Sequence, residues 1–216
     1  MKDVCILCDF DGTITEKDGL YGFFSAYASI DWLKIEKLWE EGEIDSKECL
    51  MREFAFIPNL DEQLVQNYIN TIKTDKYFKE FYEIIRSKKI DLYIVSDGVD
   101  YFIERILKNN KITGITIISN HFDFINGKFL LTFPNDNLNC KKNSGTCKCS
   151  VLREMRKKYN RIIYIGDGVS DYCVCDKADK LYAKGSLSKF CEQNNIEHIK
   201  FSNFKDVLES CTAKCI

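Results

Sequence analysis

Val4-Cys5-Ile6-Leu7-Cys8-Asp9-Phe10-Asp11-Gly12-Thr13-Ile14-Thr15 begins as an apolar run and ends in two carboxylates, a glycine and two hydroxyls. A short apolar run bounded by a turn signal reads as a buried strand. In an open α/β sheet, chemistry gathers beyond the carboxyl ends of such strands. Asp9 and Asp11 are two positions apart, so an extended chain sends both to one side. Two acids that close repel unless a cation stands between them or one is protonated. A divalent ion answers this most simply, and hard oxygen ligands suit magnesium. Alone, the stretch also reads as an ordinary strand followed by a solvated Asp-Gly turn.

Downstream residues decide between the two readings. Asp91-Leu92-Tyr93-Ile94-Val95 is a second buried strand, ending in Ser96-Asp97-Gly98. Residues 115–119 read as a third. Arg161-Ile162-Ile163-Tyr164-Ile165 is another and stops at Gly166-Asp167-Gly168-Val169-Ser170-Asp171. Further strands are expected at 181–183 and 198–201. Helical patterns cover 78–87, 101–107, a stretch from about 150, 187–194 and 204–211. Strands alternating with helices imply a mainly parallel sheet covered on both faces. Asn126-Gly127 between two short apolar runs predicts a hairpin. Residues 15–74 look helical throughout, with Asp45 and Asp61 as caps.

Composition narrows the function classes. The chain has 216 residues, 45% hydrophobic and 30% charged, as an ordinary globular protein has. The net charge of -2 offers no basic field for nucleic acid. No apolar run is long enough to span a membrane. No export signal precedes the first strand, which makes the cytoplasm the expected location. The eleven cysteines are then expected as reduced thiols. Cys140, Cys147 and Cys149, even with Cys173 and Cys175, do not make two Cys-x-x-Cys knuckles, so thiols are expected there rather than zinc.

Asp9-Phe10-Asp11-Gly12-Thr13, Val95-Ser96-Asp97-Gly98, Lys148 and Gly166-Asp167-Gly168-Val169-Ser170-Asp171 together resemble the phosphatase branch of the haloacid dehalogenase superfamily. The likeness covers nearly the whole chain. It implies an α/β fold, a Rossmannoid parallel sheet with helices on both faces and a small helical cap inserted after the first strand. The core would be 1–14 and 75–216, and the cap 15–74. It implies a magnesium-dependent phosphatase of a small phosphorylated metabolite, acting through an aspartyl-phosphate, as monomer or homodimer. Asp9 would be the nucleophile and Asp11 the acid and base. Asp9, Asp167 and the Asp11 carbonyl would hold magnesium, with Asp171 supporting or joining them. Ser96 and nearby N–H groups would bind the phosphoryl oxygens, Ser96, Asp97 and Gly98 all being substrate-binding residues, and Lys148 would add positive charge. Glu16 and Arg52 would read the rest of the substrate, a pair suited to phosphoserine.

Each residue has a plainer role available. Asp167 and Asp171 could open a helix, and Ser96 could cap one. Lys148 could be solvated, as Lys141 and Lys142 beside it could be. Asn120-His121, the hairpin and the cysteine-bearing approach to Lys148 resemble the methionine-salvage phosphatases of the branch. Asp97 stands where those and the phosphoserine phosphatases carry glycine, and the Ser-Asp pair resembles phosphocholine phosphatases. A signalling receiver also uses strand-end acids, but it has no helical insertion after its first acidic pair. A non-catalytic phospho-ligand-binding protein on the same fold is the remaining alternative.

Overall fold

A computed structural model describes residues 2–137, 140 and 143–213; Lys141 and Lys142 lie outside them. Among the described residues, seven strands form one sheet: β1 (Lys2–Cys8), β2 (Asp91–Val99), β3 (Thr116–Ile125), β4 (Lys128–Thr132), β5 (Tyr159–Gly166), β6 (Lys180–Ala183) and β7 (Ile199–Lys200). Their order is β4-β3-β2-β1-β5-β6-β7. Every neighbouring pair is parallel except β3 and β4, the hairpin around Asn126-Gly127.

Between β1 and β2 come α1 (Gly19–Tyr27), α2 (Trp32–Glu40), α3 (Ser46–Ala55), α4 (Glu62–Ile69) and α5 (Phe78–Ser87). Then follow α6 (Asp100–Asn109), α7 (Lys148–Arg156), α8 (Gly185–Gln193) and α9 (Phe204–Ala213). β1 lies at the sheet's centre, and its period of two divides the core. Cys5 and Leu7 pack with Val151 and Leu152 of α7 and Leu187 of α8. Ile6 and Cys8 face the other way, toward Phe81 of α5, Phe102 of α6 and Phe204 of α9. A strand buried on both faces reads as an unbroken apolar run, which is what residues 4–8 are.

Asp45 and Asp61 cap α3 and α4 as expected, each accepting at 2.8 Å from an N–H three residues on. Asp18 caps α1 in the same way. Phe23 and Phe54 join these helices to the rest of the fold, Phe54 stacking on Phe122 of β3 at 4.7 Å and Phe23 meeting Phe102 edge-on at 5.2 Å. Aromatic pairs of this kind add to simple area burial.

Three boundaries differ from the sequence reading. The stretch 15–74 is not helical throughout: Thr15 and Thr74 pair across an antiparallel bridge, and the helices lie between them. β2 runs past Val95 to Val99, with a register shift against β3 over that interval. β3 fuses two expected strands, and its outer half leaves β2 to pair with β4. Among the described residues, no helix is long and apolar enough to cross a membrane.

Candidate active site

The sheet's carboxyl edge gathers the polar residues. β1 delivers Asp9, whose N–H donates to the Ile165 carbonyl of β5 at 2.9 Å. The chain then turns sharply, with the N–H groups of Thr13, Ile14 and Thr15 all donating to the Phe10 carbonyl. The turn holds Gly12 at φ +71°, where a Cβ would lie 2.5 Å from Asp167 Oδ2. Only glycine lets the two loops approach so closely.

Lys148, the first residue of α7, is 2% exposed. Its Nζ donates to Asp9 Oδ1 at 2.7 Å, Ser170 Oγ at 2.8 Å and Asp171 Oδ1 at 2.5 Å. Burial works against its charge, but Asp171 and Asp9 overcome this and hold the ammonium above its ordinary range. The solvated-lysine reading is thereby replaced by a buried one. Asp171 is fully buried and committed on both oxygens. Oδ1 accepts from Lys148 and from Tyr164 OH at 2.6 Å; Oδ2 accepts from the N–H groups of Asp167 and Gly168 at 3.0 and 3.1 Å. Asp171 thus holds the β5 loop in place. Asp167 Oδ1 accepts from Thr13 Oγ1 at 2.5 Å, tying the β5 loop to the β1 loop.

Asp9, Asp167 and Asp171 each offer an oxygen within 4.8 Å of the others. Burial first, and then Asp171's charge, raises the Asp9 carboxyl well above its ordinary value; burial also raises Asp167. Converging hard oxygens whose mutual charge is only part-balanced by Lys148 fit a divalent cation. Asp11 accepts from Gly19 N–H at 2.9 Å. Burial, with Asp18's charge adding, pushes its carboxyl up to about 8, so it keeps its proton at neutral pH.

These groups face a cavity of about 510 Å³. Asp9, Asp11, Glu16, Ser96, Asp97, Gly98 and Asp167 line it; Arg52 does not. Arg52 instead pairs with Glu48 one helical turn away, half exposed. Ser96 is buried, its Oγ accepting from Gly98 N–H at 2.9 Å. The Asp97 carboxylate accepts from Thr146 N–H at 2.9 Å, and Asn120 Nδ2 donates to the Asp97 carbonyl at 2.6 Å. Burial raises the Asp97 carboxyl, and these donors restrain the shift. Asp97 therefore ties β2 to β3 and to the approach of α7.

Sequence reasoning passed over Thr13, Tyr164 and Ser170, and three cavity acids, Asp18, Glu36 and Glu53. Tyr164 and Thr13 announce themselves only through their partners. Glu53 had a signal: it stands among Cys49, Leu50 and Phe54 on the buried stripe of α3. Among the cysteines of 140–175, Cys147 is hydrogen-bonded to Cys140 and Cys149 to Cys173, and Cys149 Sγ donates to the Cys173 carbonyl at 2.9 Å.

Known proteins are similar to this chain over nearly its whole length. A 2-hydroxy-3-keto-5-methylthiopentenyl-1-phosphate phosphatase of Geobacillus thermodenitrificans is 32% identical over 96% of this chain and 95% of its own. A protein of the same name from Bacillus cereus (strain AH187) is 31% identical over 94% and 93%. Among solved structures, a phospho-aspartyl intermediate analogue of phosphoserine phosphatase superposes with TM-score 0.72 at 18% identity, over 97% of this chain and 99% of that one. Residues 6–175 match the haloacid dehalogenase-like hydrolases, and they include Asp9, Ser96, Lys148 and Asp167. The strand-end acids, the lysine that joins them and the extent of these matches place the chain in the haloacid dehalogenase-like hydrolase family.

Proposed function

We propose that the protein is a magnesium-dependent phosphoric monoester hydrolase that passes the phosphoryl group through Asp9. The observation that carries this is the convergence of Asp9 and Asp167 from two strands, with Lys148 bonded to Asp9. Asp9, Asp167 and the Asp11 carbonyl would hold the magnesium ion, and Asp171 would orient that set. The bound ion supplies positive charge that neutralises the phosphoryl oxygens and so admits an anionic nucleophile.

Asp9 attacks phosphorus in line with the ester oxygen, forming an aspartyl-phosphate as the P–O bond to the alcohol breaks. Asp11, protonated at neutral pH, gives its proton to the departing oxygen. The resulting carboxylate then takes a proton from water as the water attacks phosphorus, and the P–O bond to Asp9 breaks, releasing phosphate and restoring the Asp9 carboxylate. Ser96 Oγ–H, held in place by the Gly98 N–H that donates to its oxygen, stabilises an equatorial oxygen, and Lys148 balances charge beside Asp9.

The helices of 15–74 act as a cap, joined to the core at the Thr15–Thr74 bridge, and they exclude water while selecting the ester. The relatives' name puts forward 2-hydroxy-3-keto-5-methylthiopentenyl-1-phosphate. The resemblance of the Ser96-Asp97 pair to that of phosphocholine phosphatases puts forward an ester such as phosphocholine. The reaction is tested by Asp9→Asn with p-nitrophenyl phosphate and magnesium. Phosphate release is expected to fall at least about 1000-fold, as loss of a covalent nucleophile does. Turnover near the wild-type rate would remove Asp9 from this role.

A further inference from the structure

Helix α3 carries on its buried stripe a carboxyl oxygen that nothing in the fold answers. Glu53 is 4% exposed, and its Oε1 has no hydrogen-bond partner. Glu36 of α2, Cys49 and Glu53 bring ligand atoms within 4.8 Å of one another. Burial comes first in raising the Glu53 carboxyl to about 9, a hydrogen bond with Glu36 comes next, one with Cys49 restrains the shift, and the charges that act on it, Glu36 and Asp18, are both negative. All of these residues line the cavity that holds Asp9, where Lys17 is the one cationic side chain among the described lining residues. Phe24 and Trp39 line it too.

Buried carboxylates in mutual contact are unfavourable in the protein alone. They become favourable when a cation enters. An organic ammonium gains both from carboxylates and from aromatic faces, and Glu36, Glu53, Phe24 and Trp39 supply the two together. We propose that the α2–α3 side of the cavity is a subsite for a cationic group, and that the substrate is a phosphate monoester whose alcohol carries an ammonium. This rests on the phosphatase reading above and narrows it. A carboxylate-bearing ester meets acids here, and Arg52, the residue suited to greet it, is outside the cavity. An uncharged thioether chain leaves Glu53 unanswered.

The test measures phosphate release by the full chain with magnesium on four esters: phosphoethanolamine, phosphocholine, its uncharged isostere 3,3-dimethylbutyl phosphate, and p-nitrophenyl phosphate. kcat/KM for the better of the two charged esters is expected to exceed that for the isostere by about 10-fold or more, the scale of a desolvated cation–π or charge contact. Glu53→Gln and Glu36→Gln are each expected to lower that ratio toward 1, with choline inhibiting wild type more strongly than either variant. Thermal melting confirms that each variant is folded. Equal turnover of isostere and charged esters alongside active p-nitrophenyl phosphate hydrolysis overturns the proposal and leaves the phosphatase reading standing. Preference for 2-hydroxy-3-keto-5-methylthiopentenyl-1-phosphate over both charged esters overturns it as well. A metal ion retained by wild type and lost in Glu53→Gln would assign the acids to that ion and overturn it. No turnover of any ester overturns the phosphatase reading, and the proposal with it.

Discussion

Lys148 shows how a single side chain holds several segments in register. Its ammonium joins Asp9, at the end of β1, to Ser170 and Asp171, in the loop after β5. All of this happens out of water, with Lys148 and Asp171 at 2% and 0% side-chain exposure. Removing one partner of a buried ion pair leaves the other charges uncompensated, at a cost of roughly 3–5 kcal/mol. Lys148→Ala is therefore expected to lose about that much stability, read as a lower urea midpoint at unchanged slope. Its phosphatase activity is expected to fall by about 100-fold or more, as when an electrostatic stabiliser is deleted. An unchanged midpoint would show that the pair does not hold the edge together. Lys148 was legible from its order in the motif series. That it bonds Ser170 and Asp171 as well as Asp9 was not, because distances between loops exist only after the sheet forms.

The element that departs most from its expected role is α3. Its N-cap, its length and its apolar stripe follow from Asp45, Cys49, Leu50 and Phe54, and the sequence displays them all. Glu53 breaks the pattern, since the periodicity of the buried stripe favours an apolar residue there. Such breaks mark functional positions, where stability is given up for a site. The sign can be worked out. A carboxyl raised from 4.5 to about 9 keeps its proton in the folded protein where the unfolded chain has lost it. Stability is thus full below the unfolded value and is lost as pH rises from about 4.5 toward about 9. Glu53→Gln lacks this loss. It is expected to match wild type at pH 4.5 and to be more stable by on the order of 1 kcal/mol at pH 8, seen in melting temperatures across that range. A variant less stable than wild type at pH 8 would mean that Glu53 is satisfied in the fold. The same gap between pattern and contact explains β2 and β3. The alternation of apolar residues marked both strands. The extension of β2 to Val99 and the single β3 depend on pairing between strands, which no local window contains.

At the scale of the whole molecule, topology turns separate strand ends into one site. β1 lies between β2 and β5, so Asp9 is flanked by the Ser96 end of one neighbour and the Asp167 end of the other. The parallel order needed for this was readable from alternating strands and helices. The convergence of Asp18, Glu36 and Glu53 on the cavity was not, because it depends on how the helices α1 to α3 are oriented, α1 and α3 by packing against α6 and β3. A site assembled from two loops couples metal binding to folding. The proposed ion would bind only where Asp9 and Asp167 are together, and the unfolded chain does not bring them together. Magnesium at about 100 times its dissociation constant should therefore stabilise wild type by about 2.7 kcal/mol. Asp167→Asn removes one carboxylate from the set and is expected to flatten the magnesium dependence of the melting temperature. It also eases repulsion at the apo site, so its melting temperature without magnesium should equal or exceed that of wild type. Chelation should abolish p-nitrophenyl phosphate turnover in wild type, and added magnesium should restore it. An equal magnesium-induced shift in wild type and variant would place the ion elsewhere and break the link between the two loops on which the site depends.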